Sequence, residues 1–265
     1  MASLRSILRS TGFRPARILR ALSGLPRYYR DRSQFLKMNA DPVLKMGDDW
    51  PILDEWHEAS GGVGAYCLQD LTVARWIHQA GPQRHIDVGS RLDGFVGHLS
   101  IFRKVDVLDI REAPSHLENV TFHRADLMLP LAACWVGATD SLSCLHTLEH
   151  FGLGRYGDTI HPRGHLSGLA ELKKILAPGG VFYLSVPMGE ERVEFNAHRV
   201  FAPETVLDWF DESWEIIKTA TISDQEQLEV AEGEDCRALL LRAKSFQLGL
   251  GIIAVRKTAL PDTPR

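Results

Sequence analysis

The sequence predicts an α/β protein built on a doubly wound, mostly parallel sheet with an antiparallel edge strand. Three observations predict it. Short apolar runs recur along the chain and stop at an acid or a polar cluster, as buried strands do where they deliver a loop. Helix-period segments lie between them, and strands alternating with helices build parallel sheets covered on both faces. The densest polar cluster, His146 to Asp158, directly follows one such run, and ligands in open α/β sheets sit at the carboxyl ends of strands.

The elements follow in order. Residues 1–40 form a basic arm in which Pro15, Gly24 and Pro26 are expected to break any helix into short pieces. Residues 41–62 are acidic and carry tryptophan, with Pro42 and Pro51, and read as an irregular cover ending in a glycine break. The α/β domain spans 63–258. Its first helix, Ala65 to Gln79, shows an apolar face of Leu68, Leu71, Val73, Ala74 and Ile77 and stops at Gly81-Pro82. Strands follow at His85–Gly89, Val105–Ile110 and Asn119–His123, and then within the run that opens at Ser141. A clean amphipathic helix at Leu166–Leu176 is closed by AlaProGlyGly before a fifth strand, Val181–Val186. A short helix begins at Pro203. Two late strands, Trp214–Ser223 and Leu248–Lys257, flank an acidic loop and a helical piece at Arg237–Lys244. They lack the crossover pattern of the earlier strands, so they supply the antiparallel edge. Residues 259–265 read as a frayed tail. No internal repeat or low-complexity tract is present.

Composition narrows the function classes. No run approaches the ~20 apolar residues that span a bilayer. The start of the sequence has no uninterrupted apolar segment and no clear cleavage site, which argues against a secretory signal. Four cysteines, Cys67, Cys134, Cys144 and Cys236, show no CxxC spacing and suit reduced thiols in a cytoplasmic setting. Net charge is −4, but residues 1–37 hold nine Lys/Arg against Asp31 alone, leaving −12 on the rest. Two readings of the arm stay open: peripheral contact with an anionic membrane surface, or a solvated extension packing on the body. The acidic body argues against nucleic acid as a partner.

The chemistry collects at strand ends. Asp87 and Gly89 close the first strand, with Gly94 and Gly97 beyond. The loop departs from GxGxxG, because Arg91 stands where the second glycine would be. Asp109 ends the second strand 22 positions after Asp87, close to the ~20-residue offset at which an acid meets a ribose diol. Asp126 follows the third. Past the fourth, His146, His150 and the later His198 are candidate general bases, with Glu149 able to orient a histidine. Arg155, Arg192 and Arg199 could grip an anionic group bidentately, and Tyr156, Asp158 and Asn196 share their loops. The competing reading is a buried polar network that staples the two loops together.

The ordered set of HIDVG, VLDI, RADLMLPL, DSLSCLHTLEH and ELKKILAPGGVFYLSVP resembles the class I S-adenosylmethionine-dependent methyltransferases over residues 63–257, with LxPGG before the fifth strand the most specific part. The resemblance implies a Rossmann-like sheet and S-adenosylmethionine as cofactor. It puts Asp87 and Gly89 near the methionine part, Asp109 on the ribose hydroxyls, and Asp126 with Leu127 at the adenine, with Gly94 also among the cofactor-binding residues. Arg91 could pair with the methionine carboxylate. EHFGLGRYGD and FNAHRVF are in turn similar to an uncharacterised domain family whose bacterial members are often connected with surface-polysaccharide assembly.

Three functions follow as expectations. The first is methyl transfer to a small or glycan-type, anionic acceptor. The second is a methyltransferase-like scaffold or binding module without activity, in polysaccharide assembly. The third rests on HTLEH at 146–150, which fits the H-x-x-E-H zinc signature. That signature needs both histidines on one helix, and FGLG follows at once, so no metal site is expected.

Overall fold

The computed structural model describes residues 15–38, 48–56, 62–113 and 116–258. Residues 1–14 and 39–40 of the expected arm, 41–47 and 57–61 of the cover, and the 259–265 tail lie outside the described residues. The chain divides into two units, Met1–Gly62 and Val63–Arg265.

In the first unit, α1 (Pro15–Met38) runs unbroken through Gly24 and Pro26, so the expectation of short helical pieces is corrected. Proline removes one helical hydrogen bond, but packing along this helix outweighs that loss. The backbone of Leu53 and the ring of Trp56 lie so close to Gly24 that an added Cβ would stand 2.0 Å from the Leu53 carbonyl oxygen. The Arg27 guanidinium covers Trp56 at 4.8 Å, and Arg32 Nε donates to Asp49 at 2.6 Å. Among the described residues no helix is long and apolar enough to cross a membrane.

The second unit is organised by an eight-stranded sheet. Its strands are β1 (His85–Val88), β2 (Val105–Asp109), β3 (Val120–Arg124), β4 (Thr139–Leu145), β5 (Leu176–Met188), β8 (Trp214–Ile222), β9 (Leu228–Glu232) and β10 (Gly249–Lys257). A two-stranded hairpin of β6 (Arg192–Glu194) and β7 (His198–Val200) stands apart from it. The order is β3-β2-β1-β4-β5-β10-β8-β9. The first five are mutually parallel, and β10 runs antiparallel between β5 and β8. The antiparallel edge is therefore broader than one strand. The last strand is inserted inside it, and part of the expected acidic loop pairs as β9 on β8.

Strand parity splits the core into two layers. Phe182, Leu184 and Val186 of β5 face Leu172 and Ile175 of α4 (Gly164–Ile175), while Tyr183 joins the layer under α2 (Ala65–Ala80). Between them in the chain lies α3 (Gly97–Ser100), reached through a wide turn at Leu92–Val96, and α5 (Pro203–Asp208) and α6 (Asp235–Arg242) follow α4. The buried face of α2 differs from expectation: Gln69, Thr72, Val73, Trp76 and Ile77 point inward and Leu71 is exposed. Gln69 is tolerated there because Ser185 Oγ of β5 donates to its Oε1. AlaProGlyGly does not close α4 as a turn. It opens β5 as an irregularity, where the β4 register jumps from Thr139↔Leu176 to Ser141↔Val181.

Candidate functional site

Chain order reverses between β1 and β4, the neighbours at the centre of the sheet, and such a switch point opens a crevice at the strand ends. A cavity of about 490 Å³ lies there, within the range of small-molecule and cofactor sites. One wall comes from the ends of β1 to β3 and the segment after β3: Gly89, Arg91, Asp109, Asp126 and Leu127. The opposite wall is the loop after β4: His146, His150, Arg155, Tyr156 and Asp158. Tyr66 and Asp70 of α2 complete the lining.

Gly89 shapes the first wall. Its φ is 74°, and an added Cβ would meet Thr147 Cγ2 at 2.3 Å, so only glycine lets β1 turn beneath the β4 loop. Asp87 is fully buried just below the wall and does not face the cavity. Its carboxylate accepts from Ser143 Oγ at 2.6 Å and from Ser90 Oγ at 2.9 Å. Burial raises its pKa to about 6. Asp109 faces the cavity and is held by Arg111: Nε donates to Oδ1 at 3.0 Å, Nη2 to Oδ2 at 2.5 Å, and the backbone N–H to Oδ1 at 2.8 Å. Asp126 accepts from the Met128 backbone at 2.9 Å, and Leu127 is buried beside it. Arg91 pairs with Asp93 at 2.6 Å.

On the second wall His146 has φ 51°, a conformation uncommon outside glycine. Its Nδ1 donates to Glu149 Oε1 at 2.5 Å and its ring packs on Tyr66 at 4.7 Å. Glu149 is fully buried, and its Oε2 has no partner. Burial works against its charge, but His146 and then His150 outweigh that and hold its pKa below the usual carboxylate range. A carboxylate that can only accept fixes His146 with the proton on Nδ1, leaving the Nε2 lone pair as the proton acceptor. A Glu149→Ala variant should release that preference. Long-range ¹H–¹⁵N NMR of the imidazole should then show Nε2–H gaining population at His146, with the fold intact.

Two loops are sewn together behind this wall. Arg199 of β7 is 4% exposed and donates to the carbonyls of Glu149, Phe151 and Pro162. In return His150 Nδ1 and Arg155 Nη1 both donate to the Ala197 carbonyl, at 2.7 and 2.8 Å. Burial lowers the His150 pKa. Asp158 is spent on backbone, accepting from Gly152, Gly154 and Tyr156 N–H.

The structure thus brings together most of the residues expected at the site and sets five apart, the first being Asp87, buried beneath the wall with its carboxylate spent on Ser90 and Ser143. Arg199 is a staple whose donors are taken by carbonyls, not a substrate anchor. Arg192 donates to Glu194 and to the Glu190 and Gln247 carbonyls, away from the cavity. Asn196 is exposed at the hairpin tip. His198 stands 3.5 Å from Glu194 and off the wall. Among the described residues no group of three or more His, Cys, Asp or Glu is placed to hold a metal ion. Leu148–His150 form a single tight turn, not the helix that HTLEH chemistry requires.

The model of a family described as "Caenorhabditis protein of unknown function, DUF268" matches residues 128–244. That stretch contains the β4 loop and the β6–β7 hairpin but not Gly89 or Asp109. Among curated proteins none matches this sequence. Solved structures similar to it include the N-methyltransferase NodS from Bradyrhizobium japonicum WM9 in complex with S-adenosyl-L-homocysteine, at 13% identity and TM-score 0.47 over 72% of this chain and 86% of that one. The [4+2]-cyclase SpnF is similar at 15% identity and TM-score 0.48, over 71% and 82%. At such values the likeness is descriptive, and the fold rests on strand order and direction: a Rossmann-like sheet of the class I methyltransferase type.

Proposed function

We propose that this chain is an S-adenosylmethionine-dependent methyltransferase acting on a small or glycan-type acceptor that bears an anionic group. The observation that carries the reading is one cavity with two chemically distinct walls. Asp109, Asp126 and the Gly89 turn face a wall holding His146, His150, Arg155 and Tyr156.

The cavity fits the cofactor. Asp109 offers two carboxylate oxygens to a ribose diol, and the Gly89 turn lets a ligand approach backbone. Leu127 and Met128 give an apolar seat beside Asp126 for a purine. When bound, the cofactor supplies an electrophilic methyl group. The rest falls to the chain's own residues. Proximity and orientation supply most of what such a displacement needs. His146 Nε2 takes the proton of an acceptor hydroxyl, and Glu149 stabilises the imidazolium that results. Arg155, stacked on the Tyr156 ring, grips the acceptor's anion.

A second reading, a methyltransferase-like binding module without cofactor, is favoured by one observation: Asp109 is capped by Arg111. Calorimetric titration with S-adenosylhomocysteine separates the two. Micromolar binding that disappears in Asp109→Ala supports the enzyme reading. A folded protein that binds neither this ligand nor S-adenosylmethionine would sink it.

A further inference from the structure

Arg111 stands between the two walls. It holds both oxygens of Asp109, and its Nη2 also reaches the Gly89 carbonyl at 3.1 Å, so it spans the ends of β1 and β2. Those are the acceptors a ribose diol would use. The same guanidinium lies over the Tyr156 ring at 4.7 Å, and Arg155 lies over that ring at 5.1 Å. Arg111 is also 41% exposed, so its guanidinium can reach solvent when it turns.

We propose that Arg111 is a two-position group: it caps Asp109 until a diol takes that carboxylate, then turns along Tyr156 to join Arg155 in binding an anionic acceptor. The proposal rests on the cofactor reading above and adds an order to it. Oδ1 of Asp109 already accepts from the Arg111 backbone N–H and Nε, and Oδ2 from Nε and Nη2, so a diol that takes both oxygens competes directly with the fork. Once displaced, Arg111 keeps its stack on Tyr156. Two guanidinium groups then share one ring with no carboxylate between them. Asp158 cannot serve, because its oxygens are taken by three backbone N–H groups. A phosphate or carboxylate on the acceptor fills the gap. Cofactor and anion therefore favour each other's binding, and such coupling is reciprocal.

The test is calorimetric titration of S-adenosylhomocysteine into wild type and Arg111→Ala, each with and without inorganic phosphate at matched ionic strength. In wild type, phosphate should tighten binding by about fivefold, a typical size for such coupling. Arg111→Ala should bind more tightly than wild type without phosphate and should show no phosphate effect. Equal or weaker binding by Arg111→Ala, or a phosphate effect that survives the substitution, overturns the two-position role and leaves the cofactor site standing. Failure of both folded proteins to bind overturns the cofactor reading and this proposal together. The wild-type phosphate effect alone keeps the idea open to refutation should Arg111→Ala fold poorly: its absence in a protein that binds S-adenosylhomocysteine rejects it.

Discussion

Arg199→Met is expected to lower stability by about 3–5 kcal/mol, the cost of breaking up a buried charged group and its partners, read as a fall in the denaturant midpoint. Arg199 is nearly inaccessible, and burial lowers its pKa, opposed by Asp158 and Glu149 nearby. Its compensation is three carbonyls from one loop, those of Glu149, Phe151 and Pro162. Methionine fills similar space but leaves them without donors in a buried setting, where each unpaired group carries a desolvation penalty. Lysine should recover only part of the loss, since a point charge does not match the guanidinium fork. The consequences should also be one-sided. The loop held by Arg199 carries His146, His150 and Arg155, whereas Asp109 ends β2 on the opposite wall. Affinity for S-adenosylhomocysteine should therefore fall much less than stability. A variant that unfolds at the wild-type midpoint would show that the hairpin and the β4 loop are joined by other means.

This staple explains how much of the site could be read from the sequence. The alternation of strands and helices fixes the sheet, and the acids at successive strand ends fix which edge carries chemistry. Periodicity needs only local residue order to report these. Two motifs, EHFGLGRYGD and FNAHRVF, also stand out as dense polar clusters, and the structure brings them together. Spacing does not tell which members face the cavity and which face each other. His150 and Arg155 donate to Ala197 from one side and Arg199 donates back from the other. The functional and the stapling readings of this cluster therefore hold for different residues, and sometimes for the same one.

Three cavity residues gave little sign in advance. Arg111 lies two positions past a strand-ending acid, where a basic side chain can fold back on that carboxylate, and this was its available signal. Tyr66 and Asp70 share a helix stripe with Gln69, whose burial depends on a hydroxyl from β5, 116 residues away. An apolar-face reading prefers Leu71, which the structure exposes. The insertion of β10 between β5 and β8 was likewise not legible, because pairing partners that distant leave no local pattern.

Stability should respond to pH in opposite directions in Asp87→Asn and in His85→Gln, because these neighbours on β1 titrate in opposite senses. Both are fully buried. A hydroxyl has one proton, and Ser143 Oγ gives its own to Asp87, so it must accept from His85 Nε2 at 3.0 Å. His85 Nδ1 then accepts from Ser141 Oγ at 2.8 Å. The imidazole is held neutral, and burial with Arg103 nearby depresses its pKa to about 3. Below pH ~6.5 the unfolded histidine takes a proton that the folded one refuses. Stability from His85 therefore falls with acidification until pH reaches about 3. Asp87 behaves in reverse: its raised pKa, about 6, means the folded state takes up a proton before the unfolded state does. Its contribution therefore rises as pH falls from about 6 to the ordinary aspartate value of ~3.9. At ~1.4 kcal/mol per pH unit for one proton, each trend is worth about 3 kcal/mol across that window, and in wild type they largely cancel. Asp87→Asn should expose the histidine and lose stability steadily from pH ~6 to ~4. His85→Gln should expose the aspartate and gain stability over the same range. Denaturant unfolding at several pH values, with slopes compared against wild type, reads both. Parallel profiles for all three proteins would mean that the Ser141–His85–Ser143–Asp87 chain does not hold the protonation states assigned to it.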